Sequence, residues 1–85
     1  MKPEPAGQKT YYVVQGFTRD RRGIRMDLPL EAGTKGLALR MAERMSERKS
    51  AVVVLARTGN PETGEFEEPE VVCSYGEMPD DDLPF

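Results

Sequence analysis

The sequence of 85 residues contains no histidine, no tryptophan and a single cysteine, Cys73. Without imidazole, Ser-His-Asp and Cys-His nucleophiles and the usual Cys/His zinc sites are excluded. A lone cysteine excludes a disulfide within the chain, which fits a reducing compartment. No spacing organises the remaining carboxylates, lysines and thiol into a catalytic group. We therefore expect a protein that is not an enzyme and that holds no metal or cofactor, with Cys73 as an inert buried thiol.

Long apolar runs are also absent. No segment approaches the roughly 20 apolar residues that a membrane span needs, and the start, Met1-Lys2-Pro3-Glu4-Pro5, lacks the apolar stretch of a signal peptide. We therefore expect a cytoplasmic protein without membrane contact. Aromatic residues are few, with three tyrosines and three phenylalanines, so that one small core must be built mainly from Val, Leu, Met and Ala.

Positive and negative charges are separated along the chain. All 12 Lys and Arg lie in residues 1–57, which carry a net charge of +6. Residues 58–85 contain nine acids and no base. The chain is therefore electrically bipolar, with a basic part followed by an acidic part.

Two strands are predicted in the first third of the chain, after a flexible leader of residues 1–9. The run of β-branched and aromatic residues at 10–17 predicts strand one. After a polar turn, Ile24, Met26, Leu28 and Leu30 alternate with polar residues and predict strand two with one dry face. Proline at position 29 cannot donate to a ladder, so strand two should lie at a sheet edge.

The period then changes to that of a helix, predicted from Thr34 to about Lys49. Leu37, Met41 and Met45, with the alanines between them, form an apolar stripe, and Thr34 suits the N-cap. Two further strands follow, the strongly apolar strand three at 51–56 and, after a turn-rich loop at 58–64, strand four at 70–75.

The predicted fold is α+β, with a ββαββ domain at residues 10–76. A helical crossover places strands two and three parallel, and strand one between them makes every neighbouring pair antiparallel. We therefore expect a four-stranded antiparallel sheet in the order 2-1-3-4 with one helix on one face. The uncovered face should be polar or bind something, and we expect a monomer or a weak homodimer formed through that face.

Residues 77–85 form an acidic tail, and two prolines and four acids in nine residues predict no regular structure. The chain ends in Asp80, Asp81, Asp82, Leu83, Pro84 and Phe85. A terminal phenylalanine offers a ring and an α-carboxylate together, which suits an apolar pocket with an Arg or Lys at its rim. The aspartates would steer association with a basic surface, and the proline restricts the backbone. The alternative is an acidic tail that serves solubility alone.

These six residues resemble the acidic tip of bacterial single-stranded DNA-binding protein (SSB), which has the pattern Asp-Asp-Asp, aliphatic, Pro, Phe. Nothing upstream resembles the OB-fold of that protein. The resemblance implies binding to genome-maintenance proteins that recognise the tip. These include the RecO recombination mediator, a RecQ-type helicase, exonuclease I, the primosomal helicase and the chi subunit of DNA polymerase III.

Basic residues of the body are candidate nucleic-acid contacts: Arg19, Arg21, Arg22 and Arg25 around the first turn, and Arg40 and Arg44 on the helix. Tyr11, Tyr12 and Phe17 are candidates for stacking on bases. The alternative is a solvated charged surface, since each helix arginine has a glutamate three residues on, and strand aromatics usually belong to a core.

The body also resembles a group of short uncharacterised proteins from alphaproteobacteria, through residues 11–15, 37–43 and 58–66. The resemblance implies a bacterial cytoplasm and no particular activity. The sequence as a whole favours an adaptor or modulator in DNA replication or repair that displays an SSB-like tail. Two alternatives remain open: a small nucleic-acid-binding domain inhibited by its own acidic tail, and an α/β domain of unrelated function.

Overall fold

The computed structural model describes residues 7–76, which form an α+β fold with one helix and a curled antiparallel sheet. The α+β prediction is confirmed. The elements of these residues are β1 (Lys9–Asp20), β2 (Gly23–Met26), β3 (Leu30–Ala32), α1 (Lys35–Ser46), β4 (Ala51–Asn60), β5 (Glu65–Phe66) and β6 (Glu70–Gly76).

The sheet is built around the antiparallel pair of β1 and β4, which runs from Lys9 opposite Gly59 to Phe17 opposite Ala51. These are the most apolar strands of the chain, and the central position buries both of their faces. β2 and β3 pair with the outer side of β1, and β5 and β6 pair with the outer side of β4.

The prediction of four strands in the order 2-1-3-4 is wrong. Residues 7–76 form six strands in the order β2-β1-β4-β5, with β3 also on β1 and β6 also on β4. Among these residues, each edge of the sheet is formed by two strands. Pro29 lies between β2 and β3 at one edge, and Pro69 lies between β5 and β6 at the other. Proline has no N–H to donate to a ladder, which accounts for both interruptions.

The chain segment that joins β2 to β3 is one residue longer than the stretch of β1 that lies opposite it. Met26 lies opposite Phe17 and Leu30 opposite Val14, so that a step of four residues faces a step of three. Because side chains alternate between faces, a shift of one residue moves all that follow to the other face.

The predicted dry face of strand two is therefore wrong. Ile24 and Met26 project to one face of the sheet, whereas Leu30 and Ala32 project to the face that carries the helix. Leu28, in the connection, is 85% exposed. Apolar and polar residues do alternate in this segment, but the extra residue places the apolar side chains before it and after it on opposite faces of the sheet.

The helix begins as predicted, because the Thr34 hydroxyl accepts a hydrogen bond from the backbone N–H of Leu37 at 3.1 Å. It ends at Ser46, before the predicted Lys49. Beyond its end, the N–H of Lys49 still donates to the Met45 carbonyl at 2.9 Å. Among residues 7–76, no helix is long and apolar enough to cross a membrane.

We call the side of the sheet under α1 the helix face. There Ala38, Ala42 and Met45 are buried against a cluster that includes Val14, Val52 and Val54. Leu37 is 40% exposed, so only part of the predicted apolar stripe is buried against the sheet. Small alanine side chains let the helix lie close to the sheet.

The opposite side, which we call the helix-free face, carries a second apolar cluster. Phe17, Ala51, Val53 and Leu55 are buried in it, and Ile24 packs against it from the β2 side. The two clusters share the central strands, since successive residues of β4 alternate between them.

Candidate binding surfaces

The predicted partner-binding residues, Asp80, Asp81, Asp82, Leu83, Pro84 and Phe85, lie outside the described residues, as do the rest of the predicted tail and residues 1–6. The structure does place the point where the tail begins. β6 ends at Gly76, opposite Ala51. Gly76 has a φ of +78°, and a Cβ there would collide with the carbonyl oxygen of Ser50. Only glycine fits this position, for conformation and for space.

Several basic residues meet at this same end of the sheet, which we call the basic end. The β1–β2 turn and the segment after α1 are joined there, because the N–H of Ser50 donates to the Phe17 carbonyl and the Ser50 hydroxyl accepts from the N–H of Arg19, both at 2.9 Å. The basic end carries Arg19, Arg21, Arg22, Arg25, Arg48 and Lys49.

The four predicted arginines of the first turn are all exposed. The Asp20 carboxylate accepts from the backbone N–H of Arg22 at 2.8 Å and lies 3.5 Å from the guanidinium of Arg25. Arg19 belongs to the helix-free face and Arg25 to the helix face, as their ladder positions show. The structure therefore brings these arginines to one end of the sheet, but their side chains project from different faces of it.

Arg40 and Arg44 are exposed on α1, one turn apart. Arg44 lies in the last turn, toward the basic end, and Arg40 lies a turn farther from it. The six predicted arginines therefore do not form one continuous patch.

The aromatic residues proposed for base stacking do not form a platform. Phe17 is 1% exposed within the helix-free cluster, and Tyr12 packs against the helix-face cluster. Tyr11 is half-buried beside Phe66, with ring centroids 6.2 Å apart. A buried ring cannot stack on a base, so Phe17 is excluded from such contacts.

A polar cluster around Asp27 was not predicted from the sequence. The Thr18 hydroxyl lies 3.0 Å from both carboxylate oxygens, and the Lys49 ammonium lies 3.2 Å from one of them. The amide of Gln15, only 2% exposed, donates to the backbone carbonyls of Gly16 and Asp27. This cluster holds the connection after β2 against β1 and ties it to the segment after α1, so its role is structural.

A groove of about 470 Å³ opens on the helix-free face. Val13 and Leu55 supply apolar walls from the two central strands, and the connection prolines Pro29 and Pro69 flank them. Arg57 also lines the groove. Its place could be predicted, since it follows Val53 and Leu55 at alternate positions of one strand.

The groove continues into a second hollow of about 290 Å³, which shares Val13, Glu31 and Arg57 with it and adds Tyr11 and Phe66. The guanidinium of Arg57 lies over the Phe66 ring, 5.0 Å from its centroid. This cation–π contact limits the orientations of the guanidinium. The helix-free face therefore offers apolar walls, an aromatic ring and a positioned cation, together with one carboxylate, Glu31.

The single thiol, Cys73, is half-buried on β6 and packs against the helix-face cluster. Burial raises the pKa of the Cys73 thiol, because desolvation disfavours the thiolate. This environment opposes nucleophilic reactivity at neutral pH.

Within residues 7–76, no group of three or more carboxylates and thiols is close enough to hold a metal ion. No family model, curated protein or solved structure matches the chain. The candidate surfaces are therefore the basic end and the groove of the helix-free face, together with the acidic tail known from the sequence.

Proposed function

We propose that this protein is a non-enzymatic adaptor or modulator in bacterial DNA replication or repair. It binds proteins that recognise the SSB tip through Asp80, Asp81, Asp82, Leu83, Pro84 and Phe85. The observation that carries the proposal is the residue order of this ending, three aspartates followed by an aliphatic residue, proline and phenylalanine.

The chemistry of the ending supports recognition by a small basic-rimmed pocket. The Phe85 ring provides apolar contact, and a carboxylate on the same residue can pair with an Arg or Lys at the pocket rim. The aspartates add long-range attraction to a basic surface. The tail also begins at an outer strand, after Gly76, so that binding it requires no opening of the central β1–β4 pair.

The test is a calorimetric titration of the full chain against exonuclease I and against the chi subunit of DNA polymerase III. We expect an affinity of about micromolar for one tail, weakening with added salt. Deleting Phe85, or adding one residue after it, should abolish binding, whereas Leu83→Ala should only weaken it. Leu28→Ala, at an exposed apolar residue of the body, is the matched control and should bind normally. Equal affinities of the full chain and the Phe85 deletion for both proteins would contradict the proposal.

A second function, nucleic-acid binding inhibited by the tail, is favoured by one observation. The basic end and the start of the acidic tail lie at the same end of the sheet. In this function the four acids of the tail, Glu77 and Asp80–Asp82, would compete with phosphates for the basic end.

Fluorescence anisotropy with a labelled single-stranded oligonucleotide separates the two functions. The probe is titrated with the full chain and with a variant in which the four tail acids are replaced by amides. The adaptor proposal expects weak binding by both at physiological salt. A gain of about tenfold or more in the amide variant, equivalent to about 1.4 kcal/mol, would instead support the inhibited nucleic-acid-binding domain.

A further inference from the structure

Two exposed side chains of opposite charge lie on either side of the groove. Glu31 and Arg57 line both the groove and the second hollow. Glu31 lies opposite Val13 on β3, and Arg57 lies opposite Tyr11 on β4, on the other side of β1. Two strand spacings and a step of two residues separate their Cα atoms by about 12 Å. Within residues 7–76, neither side chain forms an ion pair. Each charge can therefore pair with a ligand.

The groove is open to solvent, although its floor belongs to the buried cluster. Leu55, which is 4% exposed, closes the floor. The walls are the half-buried Val13 and the exposed Pro29 and Pro69. The space of about 470 Å³ lies within the range of small-molecule sites. A ligand can therefore contact these walls without displacing any part of the core.

The Arg57 guanidinium is held in position by an aromatic ring. Phe66 lies opposite Gly59, where a Cβ would collide with the Phe66 ring. Glycine at this position therefore lets the ring lie against β4. The guanidinium lies 5.0 Å from the centroid of the ring. A guanidinium stacked in this way keeps the N–H donors at its edge free to bind a planar carboxylate.

A buried amide places an acceptor in the groove. Gln15 is 2% exposed and lines the groove. Both hydrogen bonds that its side chain makes within residues 7–76 use Nε2, which donates to the carbonyls of Gly16 and Asp27. Among these residues, no buried polar side-chain atom lacks a partner. The Gln15 Oε1 accepts neither bond, so it is the accessible atom of the amide and can accept from a ligand in the groove.

The acceptors lie toward one end of the groove and the cation toward the other. Gln15 and Tyr11 lie on the same face of β1, two residues to either side of Val13. Glu31 is level with Val13, and Arg57 is level with Tyr11. The lining carries one carboxylate and one guanidinium, so its net charge is zero. The complementary ligand is a zwitterion whose ammonium and carboxylate lie close together beside an apolar group.

We propose that the groove binds a free α-amino acid with a large apolar side chain. The carboxylate of the ligand pairs with Arg57, and its ammonium donates to Glu31 and to the Gln15 Oε1. The apolar side chain packs against Val13 and Pro69. The interior of a peptide has neither charge and a peptide terminus has only one, so a free amino acid matches the site better than a peptide does. This site goes beyond the adaptor function and does not depend on it.

Titration of the isotope-labelled full chain with L-phenylalanine, followed by amide chemical shifts, tests the site. We expect saturable shift changes at Val13 and Arg57, with a dissociation constant of about 1 mM, and none at Arg22 in the β1–β2 turn. N-acetyl-L-phenylalanine lacks the ammonium, L-phenylalaninamide lacks the carboxylate, and glycine lacks the apolar side chain. At about pH 6, where an α-amino group is protonated, each of these should bind about fivefold more weakly or less.

Charge-neutral variants assign the two ends of the ligand. Arg57→Gln should weaken the binding of L-phenylalanine about fivefold but should not weaken that of L-phenylalaninamide. Glu31→Gln should weaken L-phenylalanine but not N-acetyl-L-phenylalanine. Arg22→Gln, at an exposed arginine of the basic end, is the matched control and should bind as the unmutated chain does.

Three results would overturn the proposal. The first is the absence of saturable shift changes at Val13 and Arg57. The second is equal affinity for L-phenylalanine and N-acetyl-L-phenylalanine, which would indicate a carboxylate site such as one for a peptide C-terminus. The third is an equal loss of L-phenylalanine and L-phenylalaninamide in Arg57→Gln, which would contradict the pairing of Arg57 with the carboxylate.

Discussion

The two faces of this sheet are both buried, but by different means. On the helix face, Val14, Val52 and Val54 lie under the alanines of α1. On the helix-free face, Phe17 and Val53 are equally inaccessible, although the helix of residues 7–76 lies on the other side of the sheet. The difference shows that a central strand apolar at every position, such as residues 51–55 of β4, requires two covers, and that one helix supplies only one of them.

The largest expected effect is that of Phe17→Ala, on the helix-free face. If this face is a true second core, losing a fully buried ring should lower the free energy of unfolding by about 3 to 4 kcal/mol. Urea unfolding followed by circular dichroism measures the loss. A loss near zero would mean that the helix-free cluster is not a core and would break the equivalence of the two faces.

Val54→Ala is the counterpart on the helix face and should cost about 2 kcal/mol, since it removes less volume from an equally buried site. Leu28→Ala, at a residue that is 85% exposed, should change stability by less than about 0.5 kcal/mol. A cost for Leu28→Ala similar to that of Phe17→Ala would assign the cover of the helix-free face to the β2–β3 connection.

Asp27→Asn should have an intermediate effect, a loss of about 1 kcal/mol. The carboxylate accepts from Thr18 and pairs with Lys49 at 3.2 Å in a half-buried position. An amide keeps one acceptor oxygen but loses the charge, which loosens the connection after β2 from Thr18 and Lys49. Thermal unfolding compares it with Arg25→Gln, which removes an exposed ion pair and should cost at most about 0.5 kcal/mol. Equal losses in the two variants would contradict a special role for Asp27.

The smallest expected effect is on the reactivity of the Cys73 thiol. Since this cysteine packs against the helix-face cluster, its reaction rate measures the accessibility of that face in the unmutated protein. Because burial raises the pKa of this thiol, its alkylation by iodoacetamide at neutral pH should be about tenfold slower than in urea. The folded chain holds the thiol proton more tightly than the unfolded chain, so stability should decline as the pH rises past the ordinary thiol pKa. Equal alkylation rates in the folded and unfolded chains would show that the helix face is open at β6.

The parts of the fold that were predictable depend on local chemistry. Thr34 caps α1 with its own hydroxyl, three residues from its donor, so the helix start follows from nearby residues. The end of the helix and the two interrupted edges cannot be predicted from nearby residues, because they depend on how distant strands pair. The step of four residues from Met26 to Leu30 becomes an irregularity only when it is set beside three residues of β1.

The same distinction applies to the candidate surfaces. Arg19 and Arg22 reach one tip because a two-residue turn places them there, which their spacing predicts. The groove was not predicted, since its walls come from β1, β4 and the two edge connections, which are distant in sequence. Alternation along β4 alone places Arg57 on the same face as Leu55, but it does not predict that Pro29 and Pro69 line the same groove.

The two prolines at the sheet margins have a consequence for the behaviour of the protein at high concentration. The outer backbone groups of a long edge strand form a template on which another chain can add a strand, the first step of amyloid-like assembly. Within residues 7–76, Pro29 and Pro69 interrupt the two margins, leaving β2 and β3 at one and β5 and β6 at the other. The longest uninterrupted edge strand of these residues is β6, with seven residues, so a neighbouring molecule can pair with only part of either margin. The interruptions therefore limit edge-to-edge polymerisation of a chain rich in β-branched residues.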